Sequence, residues 1–155
     1  MKMPEADLCR GAFTIRDLDL PPEVKSTRKS LLRWFCLSFG LVSENESRTT
    51  MLDVLDALFY FQFAKRLSPT TLQIQAFIKS KTKAKPIEKL IRYHLKRLSN
   101  LGLIQKSKNK YSFVNSPYHD RGDLQQAFNH WVVQRIDNKL KDIGFVYQKL
   151  ADSYK

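Results

Sequence analysis

The sequence predicts a mainly α-helical protein with one small β-hairpin wing and flanking N- and C-terminal helices, and three observations lead there. Apolar residues recur at helical spacing in several stretches between residues 27 and 101, and again from 123 to 154. Two short strand-like runs, 103–106 and 110–114, are separated by Ser107, Lys108 and Asn109 and read as a hairpin with a basic tip. A hydrophobic content of 43% with ten Phe and six Tyr marks a chain that folds, because a disordered chain of net charge +12 would be poor in aromatics. At 155 residues the chain is about one domain in size and large enough to bury a real core.

The first 26 residues mix Pro4, Gly11, Pro21 and Pro22 with alternating charges and read as a loosely docked arm of little independent structure. Leu31, Leu32, Trp34, Phe35, Leu37 and Phe39 predict a short helix over 27–39, with Gly40 as its stop. The stretch SENESRTT offers N-cap candidates for a second helix over 50–65. That helix is apolar nearly all round, so other helices or a second subunit must cover it. Thr70 with Gln73 forms a capping box after Pro69, opening a helix whose Leu72, Ile74, Phe77 and Ile78 face inward. The run KSKTKAK then reads as a turn, Pro86 suits a first helical position, and Gly102 ends the helix over 85–101. Spacing residues at 100° puts Ile87, Leu90, Ile91, His94, Leu95, Leu98 and Leu101 on one face of it. Lys85, Lys89, Arg92, Tyr93, Lys96 and Asn100 fall on the other. Asp123 suits an N-cap for the last helix, whose Ile136, Leu140, Ile143, Tyr147, Leu150 and Tyr154 step by four and three in alternation, a heptad seam. Leu124, Phe128, Trp131 and Val132 extend its apolar stripe upstream, and Gly144 weakens it by roughly 1 kcal/mol relative to alanine.

Charge is segregated along this order. Residues 65–110 hold thirteen bases against the single acid Glu88, a local +12 that equals the charge of the whole chain. The remainder sums to zero, so one region calls for a polyanionic partner.

The stretch IRYHLKRLSNLGLIQKSKNKYSFV, residues 91–114, resembles the recognition helix and wing of winged helix-turn-helix transcription regulators of the ArsR, MarR and PadR type. The likeness lies mainly within 87–114, on His94, Leu95, Leu98, Gly102, Leu103 and Ile104, with Leu101 supporting the core. It implies sequence-specific binding to double-stranded DNA, with the helix 85–101 in the major groove and the wing 105–111 on backbone or minor groove. In that frame residues 1–26 are an arm, 27–46 a helix and connector, 47–117 the winged-helix DNA-binding domain, and 118–155 a C-terminal dimerisation helix. The DNA-binding candidates are Lys79, Lys81, Lys83, Lys85, Lys89, Arg92, Tyr93, Lys96, Arg97, Lys106, Lys108, Asn109 and Lys110. Lysines would neutralise phosphates, whereas the Arg92 guanidinium could bond guanine O6 and N7 together, making it the first candidate for base reading.

The seam has two readings. As a homodimer interface built on Trp131, Ile136, Leu140, Ile143, Tyr147, Leu150 and Tyr154, it would set two recognition helices about 34 Å apart. As an intramolecular stripe it would cover the helix over 50–65.

Other classes fit poorly. Cys9 and Cys36 have no CxxC or Cys/His spacing, which suits a reducing, cytoplasmic setting and argues against metal sensing. His94 sits in the middle of an apolar face and reads as a buried structural histidine. There is no Gly-rich phosphate loop, nucleophile elbow or pair of acids in an apolar setting, so neither an enzyme nor a cofactor is expected. Apolar runs fall short of a membrane span, no secretory signal pattern is present, and any small-molecule effector is unknown. The alternative to DNA binding is a winged-helix interaction module in a larger nucleic-acid-associated assembly, which would have no need of the concentrated charge. RNA binding is disfavoured because no aromatic stacking platform is evident.

Overall fold

The computed structural model describes residues 1–45 and 50–155, and the chain divides into two compact units, Met1–Leu52 and Asp53–Lys155. It is mainly helical with one two-stranded antiparallel hairpin. Helix α1 is Arg28–Ser38, α2 Thr50–Phe59, α3 Thr71–Thr82 and α4 Glu88–Asn100. Strands β1 (Ile104–Ser107) and β2 (Lys110–Phe113) follow, then α5 (Leu124–Phe128) and α6 (Gln134–Ser153).

In the first unit the arm is ordered, contrary to the expectation of a loose tail. It carries two 3-10 turns, Pro4–Leu8 and Pro22–Ser26. Thr27 caps α1 by accepting from the Ser30 amide at 3.1 Å. The guanidinium of Arg16 donates to the carbonyls of Leu37 and Val42 at 2.6 and 2.7 Å, tying the last turn of α1 to the segment that follows it. Trp34 Nε1 donates to the Asp19 carbonyl at 2.7 Å, and Phe13 lies against Phe39. Gly40 ends the helix at φ +69°, where an added Cβ would stand 2.5 Å from Thr14 Cβ. Here glycine serves both the left-handed turn and the close passage of the arm.

The N-cap candidates at 46–49 lie outside the described residues. The helix expected over 50–65 is α-helical only to Phe59 and continues as a π turn, Tyr60–Ala64. Val54, Leu55, Ala57 and Leu58 are buried. After them the aromatics divide. Phe59 and Phe63 stack on each other and reach Phe113 of β2, while Tyr60 and Phe61 pack on Phe77 of α3. Gln62 Oε1 accepts from the Phe113 amide at 2.8 Å, which satisfies a donor at the end of the hairpin.

The capping box forms as expected: the Thr70 hydroxyl accepts from the Gln73 amide and the Gln73 side chain from the Thr70 amide. Ile74 and Ile78, one turn apart, are buried and Phe77 is half-buried, but Leu72 is 62% exposed and does not face inward. At 100° per residue it lies about 200° from Ile74, on the side of α3 away from the buried pair. Part of the lysine-rich run is helical, since α3 extends to Thr82 and Lys83 caps it at φ +64°. The Gln75 side chain donates to Pro86 O at 2.8 Å and holds the α3–α4 connection down. Pro86 precedes the helix; α4 begins at Glu88, and Ile87 at its N-cap is 65% exposed, off the core face. Ile87 is extended at φ −69°, ψ 150°, so the helical wheel does not govern its direction. Ile91, His94, Leu95 and Leu98 are buried as the spacing predicts. The Leu103 amide donates back to Leu98 O around Gly102 at φ +88°, ending α4 in a Schellman-type turn.

The hairpin pairs Ile104 with Phe113 through to Ser107 with Lys110, so the tip is two residues, Lys108 and Asn109, and not three. Both are left-handed, at φ +52° and +64°, the signature of a type I′ turn. The Tyr111 amide donates to Pro69 O, tying β2 to the entrance of α3. Asp123 caps α5 by accepting from Gln126 N at 3.2 Å. The last helix is interrupted by a π turn, Asn129–Val133, whose Val132 is fully buried together with Ala127 of α5.

Candidate nucleic-acid interface

The candidate side chains are brought to three places by the elements just described. Lys79 and Lys81 lie in the last turns of α3, with Lys83 and Lys85 in the connection behind it. Lys89, Arg92, Tyr93, Lys96 and Arg97 lie on α4, which contacts both α3 and β1. Lys106, Lys108, Asn109 and Lys110 form the hairpin and its tip. All are exposed except Arg97, which is half-buried with its guanidinium 5.8 Å from the centre of the Tyr93 ring.

On α4 the separation of faces is complete where it matters. The buried set recurs at 91, 94, 95 and 98, and the exposed set Lys89, Arg92, Tyr93 and Lys96 follows the same three-and-four rhythm out of phase with it. Tyr93 is 57% exposed and offers an aromatic edge and hydroxyl among cations. Arg92 lies 3.7 Å from Glu88 one turn earlier, with both side chains about half exposed, a surface pair that costs little to break.

Lys81 differs from its neighbours. Its ammonium is 2.6 Å from Asp56 Oδ2 and 5.4 Å from the Phe77 ring centre, so it links α3 to α2. Lys106 lies 5.8 Å from the ring centre of Tyr111, its cross-strand partner.

No family model, curated protein or solved structure matches the chain.

Two features of the site are absent from the sequence reading. The first is Ile87, whose side chain stands out at the start of α4 beside the cationic face; the missing capping side chain at that position is the one local sign of it. The second is backbone conformation. Lys83 and Lys108 both occupy the left-handed region, where glycine or asparagine is favoured. Among the described residues no group of three or more His, Cys, Asp or Glu side chains gathers to hold a metal, and no helix is long and apolar enough to cross a membrane. His94 is 8% exposed among the apolar residues of α4, with its ring against Tyr93. Of the seam residues, Trp131 donates from Nε1 to Asn115 O at 2.7 Å and lies in the π turn, while those in α6 from Leu140 onward are exposed.

Proposed function

We propose that Asp53–Lys155 is a winged helix-turn-helix unit that binds double-stranded DNA in a sequence-specific manner and serves transcription regulation. In this reading α3 and α4 are the helix-turn-helix, α4 enters the major groove, and the β1–β2 hairpin is the wing. The observation that carries it is the placement of the charge: the cations of a region with local +12 are exposed on the α4 face, its preceding connection and the hairpin tip. An interaction module would have no use for that arrangement. The order α2, α3, α4, hairpin, with β2 bonded back to Pro69, fits the same architecture.

Roles follow from chemistry. Lys79, Lys83, Lys85, Lys108 and Lys110 contact phosphates and release counterions. Arg92, half exposed on α4, is the candidate to bond a guanine edge, and Ile87, apolar and exposed at the helix entry, suits a thymine methyl group. Asn109 and Lys106 meet backbone or minor groove.

Selection of bound sequences from random duplexes tests the proposal, followed by salt titration of the selected site. A defined motif should emerge, and with six or more phosphate contacts affinity should fall roughly a thousandfold between about 50 and 200 mM salt. Failure to bind any duplex at low salt would overturn it.

A further inference from the structure

Helix α6 has no buried residue along its 20 positions. Leu140, Ile143, Val146, Tyr147, Leu150 and Tyr154 are each between 53% and 88% exposed. Together they present roughly 800 Å² of largely apolar surface per chain, more than most monomers tolerate in one patch and about one partner's share of a stable interface. The reading in which this stripe covers α2 is therefore not what the fold does.

We propose that α6 pairs antiparallel with α6 of a second copy of this chain, about a two-fold axis beside Gly144. The pairing stands apart from the DNA reading, because it rests on α6 alone.

The spacing of the seam is its own mirror image. From Ile136 to Tyr154 the steps run four, three, four, three, four, and they read the same from the other end. A reversed copy thus lays every a position on a d position, the pairing of antiparallel coiled coils. Ile136 meets Tyr154 of the second copy, Leu140 meets Leu150, and Ile143 meets Tyr147. Each tyrosine faces a smaller side chain. A parallel pair would instead stack Tyr147 on Tyr147 and Tyr154 on Tyr154 and leave isoleucine at two d positions, which disfavours a two-stranded parallel coil.

Gly144 gains a reason in this arrangement. It sits mid-helix, where glycine costs about 1 kcal/mol relative to alanine, and a Cβ built on it meets nothing within 4 Å of its own chain. In the antiparallel pair the two Gly144 residues flank the axis and let the backbones approach, with the two Val146 residues on the other flank. The flanking charges do not clash, since Asp137 falls opposite Ala151 and Lys139 opposite Ser153.

Charge also separates a second copy from a membrane surface as the occupant. Apart from Phe145, which is 65% exposed, the side of α6 away from the seam is mixed in charge and internally paired, Asp137 with Lys141 at 3.1 Å, Lys139 with Asp142 at 3.3 Å and Asp152 with Lys155 at 3.4 Å. A helix lying on anionic lipid carries a cationic polar face. Where the DNA reading also holds, the 18 steps from Ile136 to Tyr154 set the two Ile136 residues roughly 27 Å apart along the pair, on the scale of one turn of duplex.

The test uses the full chain with Cys9→Ser, which leaves the buried Cys36 as its one native thiol. Sedimentation should show a dimer, and Ile143→Asp, at a side chain 63% exposed within the chain, should weaken it at least about a hundredfold with an unchanged circular dichroism spectrum. Under oxidation Val146→Cys should cross-link to itself. Leu140→Cys alone should not, yet should cross-link when mixed with Leu150→Cys. A monomer at about 100 µM, a dimer indifferent to Ile143→Asp, or self-linking of Leu140→Cys without Val146→Cys would each overturn the proposal.

Discussion

Lys81 Nζ stands 2.6 Å from Asp56 Oδ2, joining residues 25 positions apart and fastening α3 to α2. The carboxylate side is mostly buried, at 14% exposure, and the ammonium is half exposed. One lysine of the basic region thereby serves the fold. Asp56→Asn should lower unfolding stability by about 1 kcal/mol, the scale of a partly exposed pair, while leaving duplex affinity equal or higher. Lys81→Gln should cost similar stability and less affinity than Lys85→Gln. Denaturant titration beside duplex titration reads both quantities.

Lys108 holds φ +52° at the hairpin tip, a conformation that costs an L-residue roughly 1–2 kcal/mol and glycine almost nothing. Lys108→Gly is therefore expected to raise stability by up to about 1 kcal/mol, after allowance for the looser unfolded chain, and to lower duplex affinity with a flatter salt slope. Opposite signs in the two measurements would mark a side chain kept for binding. A loss in both would mean that the lysine supports the turn itself.

Arg92→Ala should reduce discrimination between a selected duplex and random DNA by about 1–3 kcal/mol and change binding to random DNA far less. Because the side chain is half exposed and its Glu88 pair is weak, melting temperature should hardly move. Ile87→Ala should likewise spare stability, being 65% exposed, and should weaken preference at one thymine position. Competition titrations with single-base variants resolve the two effects.

Gly40→Ala should destabilise the first unit by about 2–4 kcal/mol, combining the left-handed backbone at φ +69° with a Cβ placed 2.5 Å from Thr14 Cβ. Adding Thr14→Gly should recover part of the loss, and hydrogen exchange over α1 would report it. Full additivity of the two changes would show that the two side chains do not meet.

Much of the second unit is legible in the sequence because it depends on neighbours a turn away. The Thr70–Gln73 capping box, the Asp123 cap, the buried set Ile91, His94, Leu95 and Leu98, and the stop at Gly102 are all local. So is the gathering of cations between residues 65 and 110. Periodicity likewise marked Ile136 to Tyr154 as one face of a helix.

Other features needed distant partners. Arg16 reaches the α1 terminus from 21 residues away, and without that contact the proline-containing arm reads as loose. The π turn at Tyr60–Ala64 accompanies the division of the aromatics between Phe113 and Phe77, which spacing does not show, and the outward turn of Ile87 follows from the extended backbone before Glu88. Spacing alone can assign a helix an apolar face, because it depends only on the 3.6-residue turn. Whether the chain itself covers that face depends on where every other element packs, and only the tertiary structure leaves the α6 face bare.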